Sequence, residues 1–402
     1  MRPTSSLDGK SWDGMVVIAS GVSWDDTWLS EKHLALELSR WAPVLFVDPP
    51  VSWLTPLRKP QLRATLSEPR LRLVRPGIAR LTPLAPPGVS RPMLRDVANA
   101  ATRRAIRLAV QRLGGDVAAL VVASLDPLLD ACPARLRVMY GTDDWVSGGS
   151  LMGISTTWME RREDDQLRRA DKVVAVSPTL AERWSSRARS VTVIPNGCDA
   201  EGFAATDATP PAVDVRLPGP IAGFIGHMSA RIDLGLVDAV AQTGHSVLLV
   251  GPRQLTFDPG RLDALLALPN VQWTGPRPFG DLPAYMRHVT VGLTPYTDSA
   301  FNRSSFPLKT LEYLAAGRAA VVTDLPSARS LPEDLVVRCS GADSFARATV
   351  AALEAPPDAD LSRRRREFAQ TQSWSARAAD FARLLELRVP PAPLGKGADV
   401  GG

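Results

Sequence analysis

FPLKTLEYLAAGRAAVVTD, residues 306–324, reads as one helix followed by one strand. Pro307 suits the first turn of a helix, where its missing N–H is no loss. The apolar turn ending in Ala-Ala-Gly stops at Gly317, and AAVVTD forms the strand. The free N–H groups at the helix start and the positive end of its dipole suit a phosphate. Lys309, in the first turn, adds a positive charge there. Glu312, one turn on, shares a face with Lys309 and Leu308. Its carboxylate repels phosphate but accepts two hydrogen bonds from a vicinal diol, such as the ribose beside a diphosphate. The plain alternative is a surface Lys–Glu pair worth about 0.2–0.5 kcal/mol. Against it, the chain has only six lysines beside 41 arginines, and one stands at this helix mouth.

Outward from this unit the same alternation continues. VVIAS (16–20), PVLFVDPP (43–50), VAALVVAS (117–124), LRVMYGTDD (136–144), KVVAVS (172–177) and VTVIPNG (191–197) read as strands, with RLRLVRPG and IARLTPL (70–84) as short ones. Helices are expected near 30–40, 92–113, 155–170 and from Pro178. After 201–218, rich in proline and poor in periodicity, the pattern restarts with PIAGFIGH, SVLLVGP, PNVQWTGP, VTVGLTPY, the opening stretch and DLVVRC. Strands apolar on both faces, alternating with helices, imply parallel sheets joined by right-handed crossovers. The expected fold is therefore α/β, with two doubly wound Rossmann-like domains facing a cleft and ligands beyond the strands' carboxyl ends. The expected division is 1–200 for the N-terminal domain, 201–218 for a linker and 219–372 for the C-terminal domain. A helix at 373–389 crosses back to the N-terminal domain, and 390–402 is an expected disordered tail. Residues 361–388 read as one long helical tail.

The 402 residues are 45% hydrophobic and 22% charged, a globular composition. Cys132, Cys198 and Cys339 show no paired spacing, which argues against a disulfide framework or zinc cluster. The N-terminus has no apolar h-region, and the longest apolar run falls far short of a membrane span. A cytoplasmic protein is expected, at most peripheral on the inner face of the plasma membrane. Net charge is +5, yet between Arg58 and Arg112 thirteen Arg/Lys face only Glu68 and Asp96. Such a stretch seeks an anionic partner. The helix at 92–113, with Leu94, Val97, Ala101, Leu108 and Leu113 as its apolar set, could lie on an anionic bilayer or pack into the core. Nucleic acid is not expected, since aromatics are not interleaved with the basic residues.

PLKTLEYLAAGRAAVVT resembles the donor-binding signature of GT-B glycosyltransferases, in particular the retaining family 4 group that uses nucleotide sugars. ADKVVAVSPTLAERW, VTVIPNGCDAEGF, GPIAGFIGHMSARID, VGPRQ and PNVQWTGPRPFGDLPAYMRHVTVGLTPY resemble that family in order and spacing, over roughly residues 15–385. The resemblance implies that Lys309 contacts the donor diphosphate and Glu312 the ribose hydroxyls. Gly226 would allow close backbone approach, and His227 would line its loop. Arg231 takes the family's phosphate-binding place, Arg253 is a second candidate cation, and Gly275 through Arg277 lie near the base. Ser304, Ser305, Phe306, Pro307 and Leu308 belong to the donor loop. At Ser304 the family often has a second glutamate facing the donor sugar; serine keeps a hydrogen bond there but loses the charge. The resemblance implies a reaction without a protein nucleophile, the leaving group being held by cations and a helix dipole. It implies no metal, and a glycan or lipid-linked acceptor from the cell envelope.

The N-terminal half is expected to supply the acceptor side through Gly21, Trp24, Asp25 and His33. Asp126 lies near the place of a catalytic histidine in many relatives, although a helix-capping role fits it too. Asp143 and Asp144 read as turn or cap residues, and Glu163-Asp164-Asp165 as part of a solvated charge lattice. Two other readings remain at this stage: a GT-B nucleotide-sugar epimerase, and a non-catalytic sugar-nucleotide-binding protein.

Overall fold

The computed structural model describes residues 11–25, 29–52, 68–87, 92–149 and 155–388. Arg58, Lys59, Arg63, Arg91 and the tail at 390–402 lie outside the described residues. The chain divides into two compact units: Met1–Tyr140 with Gln166–Val173 and Ala378–Gly402, and Gly141–Asp165 with Val174–Arg377.

The strands of the N-terminal half are β1 (Met15–Ser20), β2 (Val44–Val47), β3 (Val51–Ser52), β4 (Leu71–Arg75), β5 (Ile78–Leu81), β6 (Leu84–Ala85), β7 (Val117–Ala123), β8 (Leu136–Gly141), β9 (Lys172–Ala175) and β10 (Val191–Val193). Eight of them form a sheet in the order β10-β9-β8-β7-β1-β2-β5-β4, and β3 pairs with β6 alone. Every residue of β1, β2, β5 and β7 is buried, as apolar runs covered on both faces demand, Arg80 of β5 being held by ion pairs. β1 runs parallel to both neighbours, Val16 lying opposite Val44 and Ala119. The edge strand β4 is antiparallel to β5, because Pro76-Gly77 returns the chain tightly with Gly77 at φ 74°.

The C-terminal half contributes β11 (Ile221–Ile225), β12 (Ser246–Val250), β13 (Val271–Trp273), β14 (Val289–Thr294), β15 (Ala319–Thr323) and β16 (Val337–Cys339), in the order β13-β12-β11-β14-β15-β16. All of their pairings are parallel. One apolar core holds Leu311, Leu314, Met286 and Phe203; another holds Phe224, Val237, Leu262 and Phe345. This is the doubly wound α/β architecture expected from the sequence.

Several local expectations need correction. Residues 200–208 form the helix Ala200–Ala204 and a 3-10 turn, and Ala212, Val215 and Leu217 pack against the core. The helical tail is two helices, Ala359–Thr371 and Trp374–Leu384. It breaks because the backbone there pairs with Cys198, whose N–H donates to Gln372 O at 3.0 Å and whose carbonyl accepts from Trp374 N at 3.1 Å. The helix Pro259–Leu266 was absent from the expected set; Asp258 caps it at Arg261 N. The helix Pro92–Leu113 buries Ala98, Asn99, Thr102, Ile106, Ala109 and Leu113, while Val97 (54%) and Leu108 (53%) stand exposed. Glu163 is not in a solvated lattice. It is 1% exposed and clamped by Arg183 and Arg187, so burial raises its carboxyl despite both cations. Arg80, counted in the basic stretch, is fully buried between Asp48 and Asp25.

Candidate functional site

The loops after β11, β12 and β13 are laced together by backbone hydrogen bonds at the strands' carboxyl ends. Gly226 N donates to Val250 O at 2.9 Å, and Gly251 N donates to Gly275 O at 2.9 Å. Gly251 sits at φ 133°, and a Cβ there would lie 2.1 Å from Gly226 O, so only glycine fits. Gly275, at φ 79°, is the third of this row. Met228 N donates to Pro252 O, and Thr297 N to Arg231 O, both at 2.9 Å, which ties in the loop after β14. Sequence reading marked Gly226 and Gly275 but not Gly251, whose place after SVLLV was the available signal.

On this edge the cations differ in how they are held. Arg231 stacks on Phe301 at 4.6 Å and Tyr296 at 5.2 Å, and its Nε donates to Asn302 Oδ1 at 3.1 Å. Asn302, buried, donates through Nδ2 to the carbonyls of Arg231 and Thr297. The guanidinium is therefore aimed by its stem while its terminal nitrogens carry no hydrogen bond among the described residues. Arg253 instead pairs with Asp263 at 2.9 Å and lies over Trp273. Arg277 pairs with Asp214 at 2.5 Å over the Tyr285 ring. His227 is exposed, and partial burial together with nearby Arg231 lowers its pKa, which keeps the imidazole neutral near pH 7.

The expected donor loop runs from Ser304, the end of the short helix Ala300–Ser304, to Leu308, the start of the helix Leu308–Ala315. Pro307 stands at the N-cap. Phe306 and Leu308 pack half-buried on the core. Ser304 is buried and its carbonyl accepts from Ser177 Oγ at 2.5 Å. Lys309 Nζ lies 3.0 Å from Glu312 Oε2; the lysine side chain is 22% exposed and the glutamate 3%. Burial raises the Glu312 carboxyl above its ordinary value, Lys309 opposes that, and Asp199 reinforces it. Tyr313 fixes this helix to the sheet: its hydroxyl accepts from Ile225 N at 3.0 Å and donates to Leu293 O at 3.1 Å.

Both acids sit in the expected turn. Asp144 accepts from Ser147 N at 3.0 Å and pairs with Arg183 at 2.7 Å. Asp143 O accepts from Trp145 N at 3.1 Å, and its side chain does more than close the turn. Its Oδ1 accepts from Ser305 Oγ at 3.0 Å, with Arg231 close enough to oppose the rise in pKa that burial causes.

In the first unit, the expected acceptor-side residues also sit at carboxyl ends of strands. Gly21 follows β1, and a Cβ there would lie 3.1 Å from Ala123 O. Trp24 is buried edge-on to Phe46 at 5.0 Å, under Lys32. Asp25 and Asp48 grip Arg80 at 2.6 Å each. Burial lowers the pKa of Lys32, whose ammonium donates to Trp24 O at 2.7 Å. His33 lies half-buried on the helix Ser30–Leu38. Asp126 follows β7 without starting a helix, which removes the capping reading; its carboxylate accepts from Ser124 Oγ at 3.3 Å and its carbonyl from Gln166. No group of three or more His, Cys, Asp or Glu among the described residues could hold a metal ion.

Comparison with known proteins adds to this geometry. Residues 219–355 match the family described as glycosyl transferases group 1. The chain is 30% identical over 265 residues to the putative teichuronic acid biosynthesis glycosyltransferase TuaH of Bacillus subtilis, spanning 62% of this chain and 66% of that one, just under two thirds of its length. Among solved structures, sucrose-phosphate synthase from Thermosynechococcus elongatus superposes with a TM-score of 0.70 at 18% identity, covering 93% of this chain and 98% of that one. Anabaena HepE in complex with UDP and glucose superposes at 0.62 and 14% identity, covering 93% and 99%. These likenesses show the fold, which is GT-B.

Proposed function

We propose that this chain, a GT-B protein with a group 1 glycosyltransferase domain at residues 219–355, moves a sugar from a nucleoside-diphosphate donor to a glycan or lipid-linked acceptor of the cell envelope, with retention. One observation carries the reading: Lys309 and Glu312 meet at the start of the helix Leu308–Ala315, which Tyr313 ties to the carboxyl end of β11. A diphosphate would draw Lys309 from Glu312 and take the open end of Arg231, leaving the carboxylate to the ribose diol. Charge developing on the leaving group is then held by fixed cations and a helix start, the main catalytic contribution when no protein nucleophile acts. Gly21, Trp24, Asp25 and His33 are assigned to the acceptor side, and Asp126 to catalysis beside them. The relative named for teichuronic acid biosynthesis supports an envelope glycan as acceptor, and the UDP in a neighbour's title makes UDP-sugars the first probes. No described helix is long and apolar enough to cross a membrane. A cytoplasmic protein that touches the inner face of the plasma membrane is part of the same proposal, and the exposed Val97, Arg104 and Leu108 of the helix Pro92–Leu113 support it.

The test is a panel of UDP-, GDP- and dTDP-sugars, read first by thermal shift and then by nucleotide release with and without acceptor. A ligand at 100 times its Kd stabilises by about 2.7 kcal/mol. Lys309→Ala is expected to lower turnover by about 10²–10³-fold, the cost of losing one preorganised donor, while the fold survives. A folded Lys309→Ala protein with undiminished turnover would overturn the assignment. Reversible epimerisation without transfer would point to the epimerase reading instead.

A further inference from the structure

The turn after β8 brings a second carboxylate to the donor loop. Asp143 Oδ1 faces Ser305 Oγ at 3.0 Å, across 162 residues of sequence. The same hydroxyl lies 2.8 Å from Phe301 O. One hydroxyl proton is shared between the two acceptors, and the half-buried carboxylate keeps lone pairs open to further donors. The neighbouring Asp144 N–H and the Arg231 guanidinium favour its ionised form, against the burial that disfavours it. The turn itself is fixed: Asp144 takes Ser147 N–H and Arg183, and a Cβ on Gly148 would touch the Phe301 ring at 3.0 Å. Asp143 is thus a held acid with acceptor capacity to spare, beside a cation whose terminal nitrogens carry no hydrogen bond among the described residues.

Asp143 itself is half-buried, whereas Glu312, buried in the following helix, is engaged by Lys309. Ser304, the nearest polar residue on the short helix, uses its carbonyl on Ser177, and its side chain carries no charge. An acid that needs hydroxyl donors, next to an arginine that needs an anion, matches one chemical junction: a sugar hydroxyl close to its own phosphate. We propose that Asp143 accepts a hydrogen bond from a hydroxyl of the donor's sugar and so sets which sugar the site takes. This rests on the glycosyltransferase reading and adds a residue from outside residues 219–355 to its donor site.

The experiment compares wild type and Asp143→Asn by calorimetric titration with UDP, GDP and dTDP, and with UDP-glucose, GDP-mannose and dTDP-glucose. Asparagine keeps the shape and loses the charge. For the nucleotide that binds, the variant is expected to weaken the sugar nucleotide about tenfold, in line with loss of a hydrogen bond to a charged group. The bare diphosphate should change by less than about threefold. Equal weakening of both, or no change in either, would overturn the proposal. If Asp143→Asn does not fold, Ser305→Ala, which frees the carboxylate from its anchor, is read by the same ratio; an unchanged ratio overturns it as well. Failure of wild type to bind any of the three nucleotides sinks the glycosyltransferase reading itself, and this inference with it.

Discussion

Lys309 and Glu312 hold each other in a way that is costly to the fold. A glutamate with a side chain 3% exposed has left water for one partly exposed amine. Its carboxyl is raised above the ordinary 4.5, chiefly by burial. The folded chain therefore keeps this proton more tightly than the unfolded one, and the sign follows. Below pH 4.5 both states are protonated and the group costs nothing; above that value ionisation of Glu312 subtracts stability, increasingly up to its raised folded value. Glu312→Gln is accordingly expected to melt higher than wild type near neutral pH, with the gap closing as pH falls below the ordinary carboxyl range. Under the proposed function its turnover should fall at the same time, because a donor ribose would lose its acceptor. Melting curves from about pH 4 to 8 decide this. A variant less stable than wild type at neutral pH would mean that Lys309 repays the burial in full.

At the scale of elements, the helix Pro92–Leu113 presents Val97, Arg104, Arg107, Leu108 and Arg112 to solvent. Two exposed apolar side chains among arginines suit the boundary of an anionic bilayer, where each basic residue contributes about 1 kcal/mol. Vesicles containing phosphatidylglycerol should bind the protein at low salt and release it as the Debye length shortens. Arg104→Glu with Arg112→Glu should abolish most of that binding without lowering the melting temperature, since neither arginine is buried. Binding that ignores salt, or none at all, would remove the membrane from the proposal. The sequence misled here for a physical reason: Leu108 and Val97 look apolar in any list, while the helix turns Asn99 and Thr102 inward, Thr102 satisfying itself on Ala98 O at 2.9 Å. Strands were readable because residues such as Val16–Ala19 and Val117–Ala123 are apolar on both faces and buried on both. The Lys309–Glu312 pair was readable because its spacing is local. Asp143 was not, since its partner Ser305 is 162 residues away. Glu163 hid for a like reason, its half-buried partners Arg183 and Arg187 coming from another helix and its end. Pro259–Leu266 carried a local signal, a capping aspartate before proline, that went unused.

For the molecule as a whole, the last helix divides between the units: residues to Arg377 count with the second, and those from Ala378 with the first. Within the first unit its burial is substantial, Ala378, Phe381, Ala382 and Leu385 each being 3% exposed or less. Phe381 meets Tyr140 edge-on at 4.9 Å, and Lys172 Nζ donates to Leu384 O at 3.0 Å. The N-terminal unit is thus completed by chain that is synthesised after the whole C-terminal sheet. Replacing a buried phenylalanine by alanine costs about 3–5 kcal/mol, so Phe381→Ala should destabilise the first unit by that much. Nucleotide, by contrast, is expected to protect the second unit, through Lys309 and Arg231. Hydrogen exchange separates the two effects. Phe381→Ala should speed exchange in β1, β7 and β8, and nucleotide should slow it in β11, β12 and the helix Leu308–Ala315, whichever variant carries it. If Phe381→Ala instead loosened β11 and β12 and left β8 protected, the packing of this helix on Tyr140 would not be what stabilises the N-terminal sheet.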